Sequence, residues 1–173
     1  MPKSMFQADR YHMTMGNFAL SEHASTEEGV SLADTEAVFY SAFRKLPFAP
    51  CVGHERLVEN LTHIGIDAPR IQFLKNDRAG LEYIAKLLEE NKFRGIVRAV
   101  KPGTIIFPGE PFADITGTFA LTQLSEVKFE HAFDIPMTVS SRALEMRLAA
   151  GDRWLTDFSL RRNGEVDRAV DVA

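Results

Sequence analysis

The chain has 173 residues, 45% of them hydrophobic, and a net charge of −4 from 20 basic and 24 acidic residues mixed along its length. That much apolar material suffices for one domain, or two small ones, with a real core, and excludes a disordered tail. With neither a basic face nor an acidic tail, the charge argues against a nucleic-acid partner.

Residues 9–20 set Tyr11, Met15 and Phe18 at helical spacing behind Asp9, which is able to cap the first turn; a short helix is predicted. Residues 21–34, rich in Ser, Glu and Gly, read as a mobile loop. Residues 35–43 are aromatic and β-branched and run into Arg44-Lys45-Leu46-Pro47-Phe48, the pattern of a strand stopped by a proline turn. Amphipathic helices packed on a sheet are expected over 53–65, from Leu57, Leu61 and Ile64, and over 69–91, from Leu81, Ile84, Leu87 and Leu88.

Over 93–117 the period changes to two. Ile96 to Val100, Thr104 to Phe107 and Phe112 to Thr116 make three short strands of a small antiparallel meander. The bends, Lys101-Pro102-Gly103 and Pro108-Gly109-Glu110-Pro111, each hold a Pro that fixes φ and a Gly that accepts a positive one.

Two helices follow within 118–151. The first has Leu121, Leu124 and Val127 inward and stops at Asp134-Ile135-Pro136; the second carries Val139, Ala143, Met146 and Ala150 on one seam and ends at Gly151. Ala143 and Ala150 would let another helix approach closely, including one from a second subunit. Residues 154–160 then supply Trp154, Leu155, Phe158 and Leu160 for a buried strand, with Arg161 and Arg162 leaving two permanent charges at its end. Such cations suggest a nearby anion; a solvated strand end is the plainer alternative. Past Asn163-Gly164-Glu165, helical spacing of Val166, Ala169, Val170 and Ala173 completes a β–α unit. Either that last helix docks on the antiparallel sheet or the sequence is part of a larger α/β enzyme.

Much chemistry is excluded. The glycine-rich loops that cradle dinucleotides or triphosphates do not occur. His12, His23, His54, His63 and His131 are scattered without metal spacing and read as surface or boundary residues. Ser140-Ser141 lacks a nucleophile elbow, and Cys51, the single cysteine, has no thiol to pair with and reads as a small hydrophobe in a reducing cytoplasm. Glu27-Glu28 and Glu89-Glu90 look like solvated faces. No apolar run approaches the ~20 residues that span a bilayer, and the start lacks the apolar core of a secretory leader. A soluble, cytoplasmic protein with no membrane partner is expected. Tyr11 and Phe158 with Arg161 survive as candidate site residues, although both aromatics also fit ordinary core packing.

Four stretches taken together carry a resemblance. Ala8-Asp9-Arg10-Tyr11-His12-Met13-Thr14-Met15, Phe43-Arg44-Lys45-Leu46-Pro47-Phe48, the run from Lys101 to Pro111, and Asp157-Phe158-Ser159-Leu160-Arg161-Arg162 resemble, in order and spacing, landmarks of the nicotinate phosphoribosyltransferase family. That family joins nicotinate to phosphoribosyl pyrophosphate, giving nicotinate mononucleotide and pyrophosphate for NAD synthesis, usually with ATP hydrolysis. The resemblance implies that Tyr11 and Phe158 stack on opposite faces of the pyridine, the tyrosine coming in that family from a partner subunit, and that Arg161 contacts the phosphate or pyrophosphate region. Aromatic faces suit a flat heteroaromatic ring, and guanidinium forks suit phosphate. Phe158 and Arg161 would point to opposite faces of a regular strand, so their convergence requires the strand to end near Leu160.

Ser159 departs from the glycine the family has after its phenylalanine. The resemblance runs out at Ala173, where the family's barrel begins, so its phosphorylatable histidine, phosphate loops and second nicotinate-binding arginine have no counterpart here. The resulting fold class is α+β: helices packed on a mainly antiparallel sheet, ending in the first β–α unit of an incomplete α/β barrel. An α+β domain would cover 1–151, with its meander at 93–117 and helices at 118–151, and the barrel would start at 152–173. The implied function is an N-terminal portion or subunit of the enzyme, inactive without the missing barrel. Its partners would be nicotinate, phosphoribosyl pyrophosphate and a second polypeptide completing the barrel, in a homo- or hetero-oligomer. No covalently bound cofactor is expected; ATP and Mg are implied for the complete enzyme. The alternative is a non-catalytic ligand-binding or regulatory module that dimerises with a full-length homologue.

Overall fold

A computed structural model of the chain describes residues 8–158 apart from 22, 23, 63, 65 and 91. Among these the order is α1 (Arg10–Ala19), β1 (Glu36–Ser41), β2 (Ala49–Pro50), α2 (His54–Thr62), α3 (Ala68–Lys75), α4 (Glu82–Glu89), β3 (Gly95–Ala99), β4 (Ile105–Ile106), β5 (Ala113–Thr118) and α5 (Phe119–Ala150).

The expected antiparallel sheet is present with a different membership. β5 lies at its centre, between β1 (Phe39 opposite Ile115) and β3 (Val97 opposite Ile115). β4 leaves the predicted meander to pair with β2, Ala49 opposite Ile106. The reason is local: Cys51 and the first Pro-Gly bend bond each other, Gly103 N–H to Cys51 O and Cys51 N–H to Thr104 O, both at 2.8 Å, which ties the bend to β2. The bends themselves form as read. Thr104 N–H donates to Lys101 O across Gly103 (φ 81), and Glu110 N–H to Phe107 O across Gly109 (φ 82), each at 3.1 Å.

The described part of 21–34 closes on itself, with Leu32 N–H donating to Ala24 O and Thr26 N–H to Val30 O, and buries Ala24. The predicted helix over 69–91 is two. α3 starts on Asp67, whose side chain accepts from Arg70 N–H, and ends at Asn76. α4 is capped from a distance: Asn17 Oδ1 accepts from Tyr83 N–H and Ile84 N–H, both at 3.1 Å, while its Nδ2 donates to Gly80 O at 2.6 Å. A side chain from α1 thus satisfies backbone donors that a helix start leaves unpaired. Asp9, the predicted cap of α1, holds the position with extended backbone but accepts no capping bond from its side chain.

The helices pack mainly on one another. α1 and α2 lie on α5, and α3 and α1 on α4. Asn60 and Lys128 lock α2 to α5, each side chain donating to the other's carbonyl at 3.1 Å. One core cluster joins the inner sheet face, α2 and the middle of α5 around Phe112, Ile115, Phe129, Phe133 and Met137; the other joins α3, α4 and the start of α5 around Ile71, Leu81, Ile84, Leu88 and Leu124. Phe133 takes Phe112, Phe129 and His54 edge-on at centroid distances of 5.1, 5.7 and 5.5 Å.

Where two helices were expected over 118–151, α5 runs through Pro136 for 32 residues. Proline removes the bond to the carbonyl four residues back, here Ala132, at a cost of about 3 kcal/mol in a helix interior. Tertiary contacts on both sides hold the helix against that cost. Ala132, Phe133, Pro136 and Met137 are all buried, and Ser141 Oγ donates to Phe48 O at 2.7 Å. Gly151 ends the helix as predicted, its N–H donating to Arg147 O. The expected strand after it does not form over its described residues, 154–158, which are all exposed; Trp154 is 98% exposed. Leu160, Arg161, Arg162 and the predicted helix at 166–173 lie outside the described residues.

Candidate functional site

The orientation of α1 decides where Tyr11 stands. The sequence places Tyr11, Met15 and Phe18 on what looks like a core face, but the helix buries His12, Gly16 and Ala19 instead. Gly16 allows this: a Cβ there would sit 3.0 Å from Ile84 Cδ1 and 3.7 Å from Leu124 Cγ, so its bare backbone brings α1 onto α4 and α5. Tyr11, at 52%, and Met15 and Phe18 are left exposed. The missed signal is the run of small residues at positions 16 and 19, which marks the side of closest approach.

His12, read as a surface or boundary residue, is 1% exposed. Its Nε2 lies 3.2 Å from Glu126 Oε2 on α5. The Tyr11 ring covers the imidazole, with centroids 3.9 Å apart and planes 33° apart. Partial desolvation, with smaller contributions from Glu126, Asp9 and Glu130, raises the Tyr11 phenol above its ordinary value. Desolvation also raises the carboxyl of Glu130, with Glu126 and Asp134 adding to the shift and His131 and Arg44 opposing it. Glu126 and Glu130 line a groove of about 340 Å³ between β1 and α5, together with Val38, Tyr40 and Phe129. Tyr11 is therefore a half-exposed aromatic beside an acidic groove.

Phe158 stands elsewhere. Residues 151–158 are all exposed, Phe158 at 71%. Their start is pinned to the end of α5, with Arg147 Nη2 donating to the carbonyls of Gly151 and Arg153 at 2.5 Å. Glu126, beside Tyr11, and Ala150 are 24 residues apart on one helix, or about 36 Å at 1.5 Å per residue. The five steps from Arg153 to Phe158 cover at most about 17 Å. Bringing the two rings together within one chain would require those residues to double back along α5, and their uniform exposure argues against it. Arg161 lies outside the described residues.

Other features set limits on the chemistry. A larger groove of about 570 Å³ lies between α2 and β3, lined by Leu57, Val58, Leu61, Phe93 and Val97 with Lys92 and Arg94, and holds none of the predicted site residues. Cys51 is buried, and burial pushes its thiol up to about 11, consistent with a packing role. Among the described residues no three or more His, Cys, Asp or Glu gather as metal ligands, and no helix is long and apolar enough to cross a membrane.

A scan against protein-family models found no match. The chain is 30% identical over 163 residues to nicotinate phosphoribosyltransferase pncB1 of Mycobacterium tuberculosis, covering 91% of this chain and 34% of that one. It is 27% identical over 148 residues to nicotinate phosphoribosyltransferase 1 of Arabidopsis thaliana, covering 79% of this chain and 26% of that one. The crystal structure of human nicotinic acid phosphoribosyltransferase superposes with a TM-score of 0.76 at 24% identity, over 95% of this chain and 33% of that one, which shows a shared fold. The chain spans about a quarter to a third of the length of these relatives. It is thus a homologue of nicotinate phosphoribosyltransferases over a stretch about a quarter to a third as long as they are, the relation that its four motifs imply.

Proposed function

We propose that this chain is one portion of a nicotinate phosphoribosyltransferase, serving NAD synthesis, and that it holds the pyridine ring of nicotinate between Tyr11 of one copy and Phe158 of another. The observation that carries the reading is that both aromatics are exposed while about 36 Å of α5 separates the regions to which they are attached. An exposed ring stacks on a flat heteroaromatic without first leaving a core. Arg161 is assigned to the phosphate or pyrophosphate region on the strength of the motif. The rest of the fold, on another polypeptide or further along a longer chain, would supply the remaining substrate contacts. Catalysis then consists of holding the ring nitrogen beside the anomeric carbon while fixed positive charge stabilises departing pyrophosphate. Among the described residues no three His, Cys, Asp or Glu side chains gather to hold the Mg that the resemblance implies alongside ATP.

Mixing two variants tests the arrangement. Tyr11→Ala and Phe158→Ala should each abolish nicotinate binding in calorimetry, measured with the chain alone and with a polypeptide carrying the rest of the fold. If the sandwich spans two copies, co-refolding the variants makes half the dimers mixed, each with one intact site, and recovers about a quarter of the wild-type sites. Nicotinate bound by neither the wild-type chain nor its combination with the added polypeptide removes the reading. Recovery of no sites in the mixture removes the two-copy arrangement.

A further inference from the structure

His12 and Glu126 form a pair that the resemblance does not assign. The imidazole is almost wholly buried, between α1 and α5, and it is the ring that Tyr11 lies on. An ionised carboxylate only accepts, so Nε2 carries the proton and donates to Glu126 Oε2 at 3.2 Å. Nδ1 is buried as well, and it has no hydrogen-bond partner among the described residues. This arrangement leaves the imidazole a single polar tether, to a glutamate on the longest helix of the fold. The tether crosses 114 positions of sequence, so it fixes the first turn of α1, and with it the base of the Tyr11 side chain, against α5.

We propose that His12, held by Glu126, is a positioning residue that fixes the ring of Tyr11 in the orientation in which its outer face receives the pyridine. The ligand side of this inference rests on the function proposed above; the ring-fixing side rests on the geometry alone. The order of layers is pyridine, phenol ring, imidazole, with Glu126 anchoring the last. A half-exposed tyrosine with nothing behind it would sample several rotamers, and ordering it on binding would weaken the complex. Prior order removes that loss. The hydrogen bond, not the charge of Glu126, does the holding, so an acceptor of the same shape should replace it.

The test uses the full chain, with Tyr11 ring resonances followed by NMR and nicotinate as the probe. Glu126→Ala should move the Tyr11 signals towards those of a freely rotating ring and weaken nicotinate binding by up to about tenfold, the scale of one stacked aromatic pair. Glu126→Gln, whose amide oxygen still accepts from Nε2–H, should keep both properties within about twofold. His12→Phe keeps an aromatic layer without the tether and should behave as Glu126→Ala. Glu130→Ala, which removes a neighbouring charge but no tether, should leave the ring signals in place. Should Glu126→Ala fail to fold, the contrast between His12→Phe and Glu126→Gln still decides. Tyr11 signals unchanged in both Glu126→Ala and His12→Phe, or lost equally in Glu126→Gln, overturn the proposal. Ring signals that respond as expected in a protein that ignores nicotinate, both alone and with the polypeptide carrying the rest of the fold, uphold the positioning role and refute the assigned substrate.

Discussion

Gly53→Ala puts the packing between α2 and α5 to a quantitative test. A methyl group at this position would sit 2.1 Å from Ala132 O, 3.0 Å from Ala132 C and 3.2 Å from Phe133 Cδ1. The first two contacts are with helix backbone, which cannot swing aside as a side-chain tip would. The residue's φ of 125° is itself unfavourable for anything but glycine. Backbone strain of this kind costs about 1–3 kcal/mol, and forcing a methyl into filled space about the same again, so the expected loss is about 2–6 kcal/mol. For a chain of this size each kcal/mol lowers Tm by about 2–4 °C, giving a drop of roughly 4–24 °C by circular dichroism. In urea the midpoint should fall at unchanged slope. Gly109→Ala is the control, since its φ is 82° and nothing lies within 4 Å of the added carbon; it should show the conformational cost alone. The carbonyl that Gly53 approaches is the one Pro136 leaves without a helical donor, so the proline and the glycine make one feature. A Gly53→Ala melt within about 1 °C of wild type, or no worse than Gly109→Ala, would refute the argument.

Asn17→Ala should expose the α4 start, costing about 1–3 kcal/mol for the unmatched donors and speeding amide exchange at Tyr83 and Ile84; Asn17→Asp keeps the acceptor and should retain most of the protection, and equal exchange in all three proteins would count against the cap. Cys51 should resist alkylation in the folded protein, because a thiol raised by burial to about 11 holds about a hundredfold less thiolate than an ordinary one, and it should label readily in denaturant. The sign for stability follows from the same shift: the fold favours the neutral thiol, so this contribution is full below the ordinary thiol value and is lost as pH rises towards about 11. Cys51→Ala should flatten that alkaline slope in urea titrations, and rapid native labelling would contradict the burial.

What the sequence disclosed depended on whether the deciding contacts were local. The Pro-Gly bends at 101–103 and 108–111 formed as read because proline and glycine set their own dihedrals. β1 and the stop at Gly151 were visible for the same reason. Errors arose where a distant residue settled the matter. Pro136 looks like a helix stop until Gly53 and the buried flanks of α5 are placed around it. The split between α3 and α4 is sharpened by Asn17, more than 60 residues away. β4 changed sheets because its turn bonds to Cys51. Periodicity assigned Tyr11 to the wrong side of α1, since a hydrophobic stripe and a buried stripe coincide only when nothing smaller competes for the close contact.

The exposed apolar residues connect the fold to the proposed role. Tyr11, Met15 and Phe18 stand on one side of α1, while Met146, Leu148, Trp154, Leu155 and Phe158 stand on the end of α5 and the segment after it. A self-contained domain rarely leaves such groups of large side chains in water, whereas surfaces used for association or ligand binding do. The two groups are attached near opposite ends of the same 32-residue helix, so no small movement inside one chain joins them. Two copies packed antiparallel could bring the first group of one to the second group of the other, twice, under a two-fold axis. That symmetry makes the variant mixture informative: a cis arrangement leaves both variants equally dead together and apart, and only a shared site can be rebuilt from two defective chains.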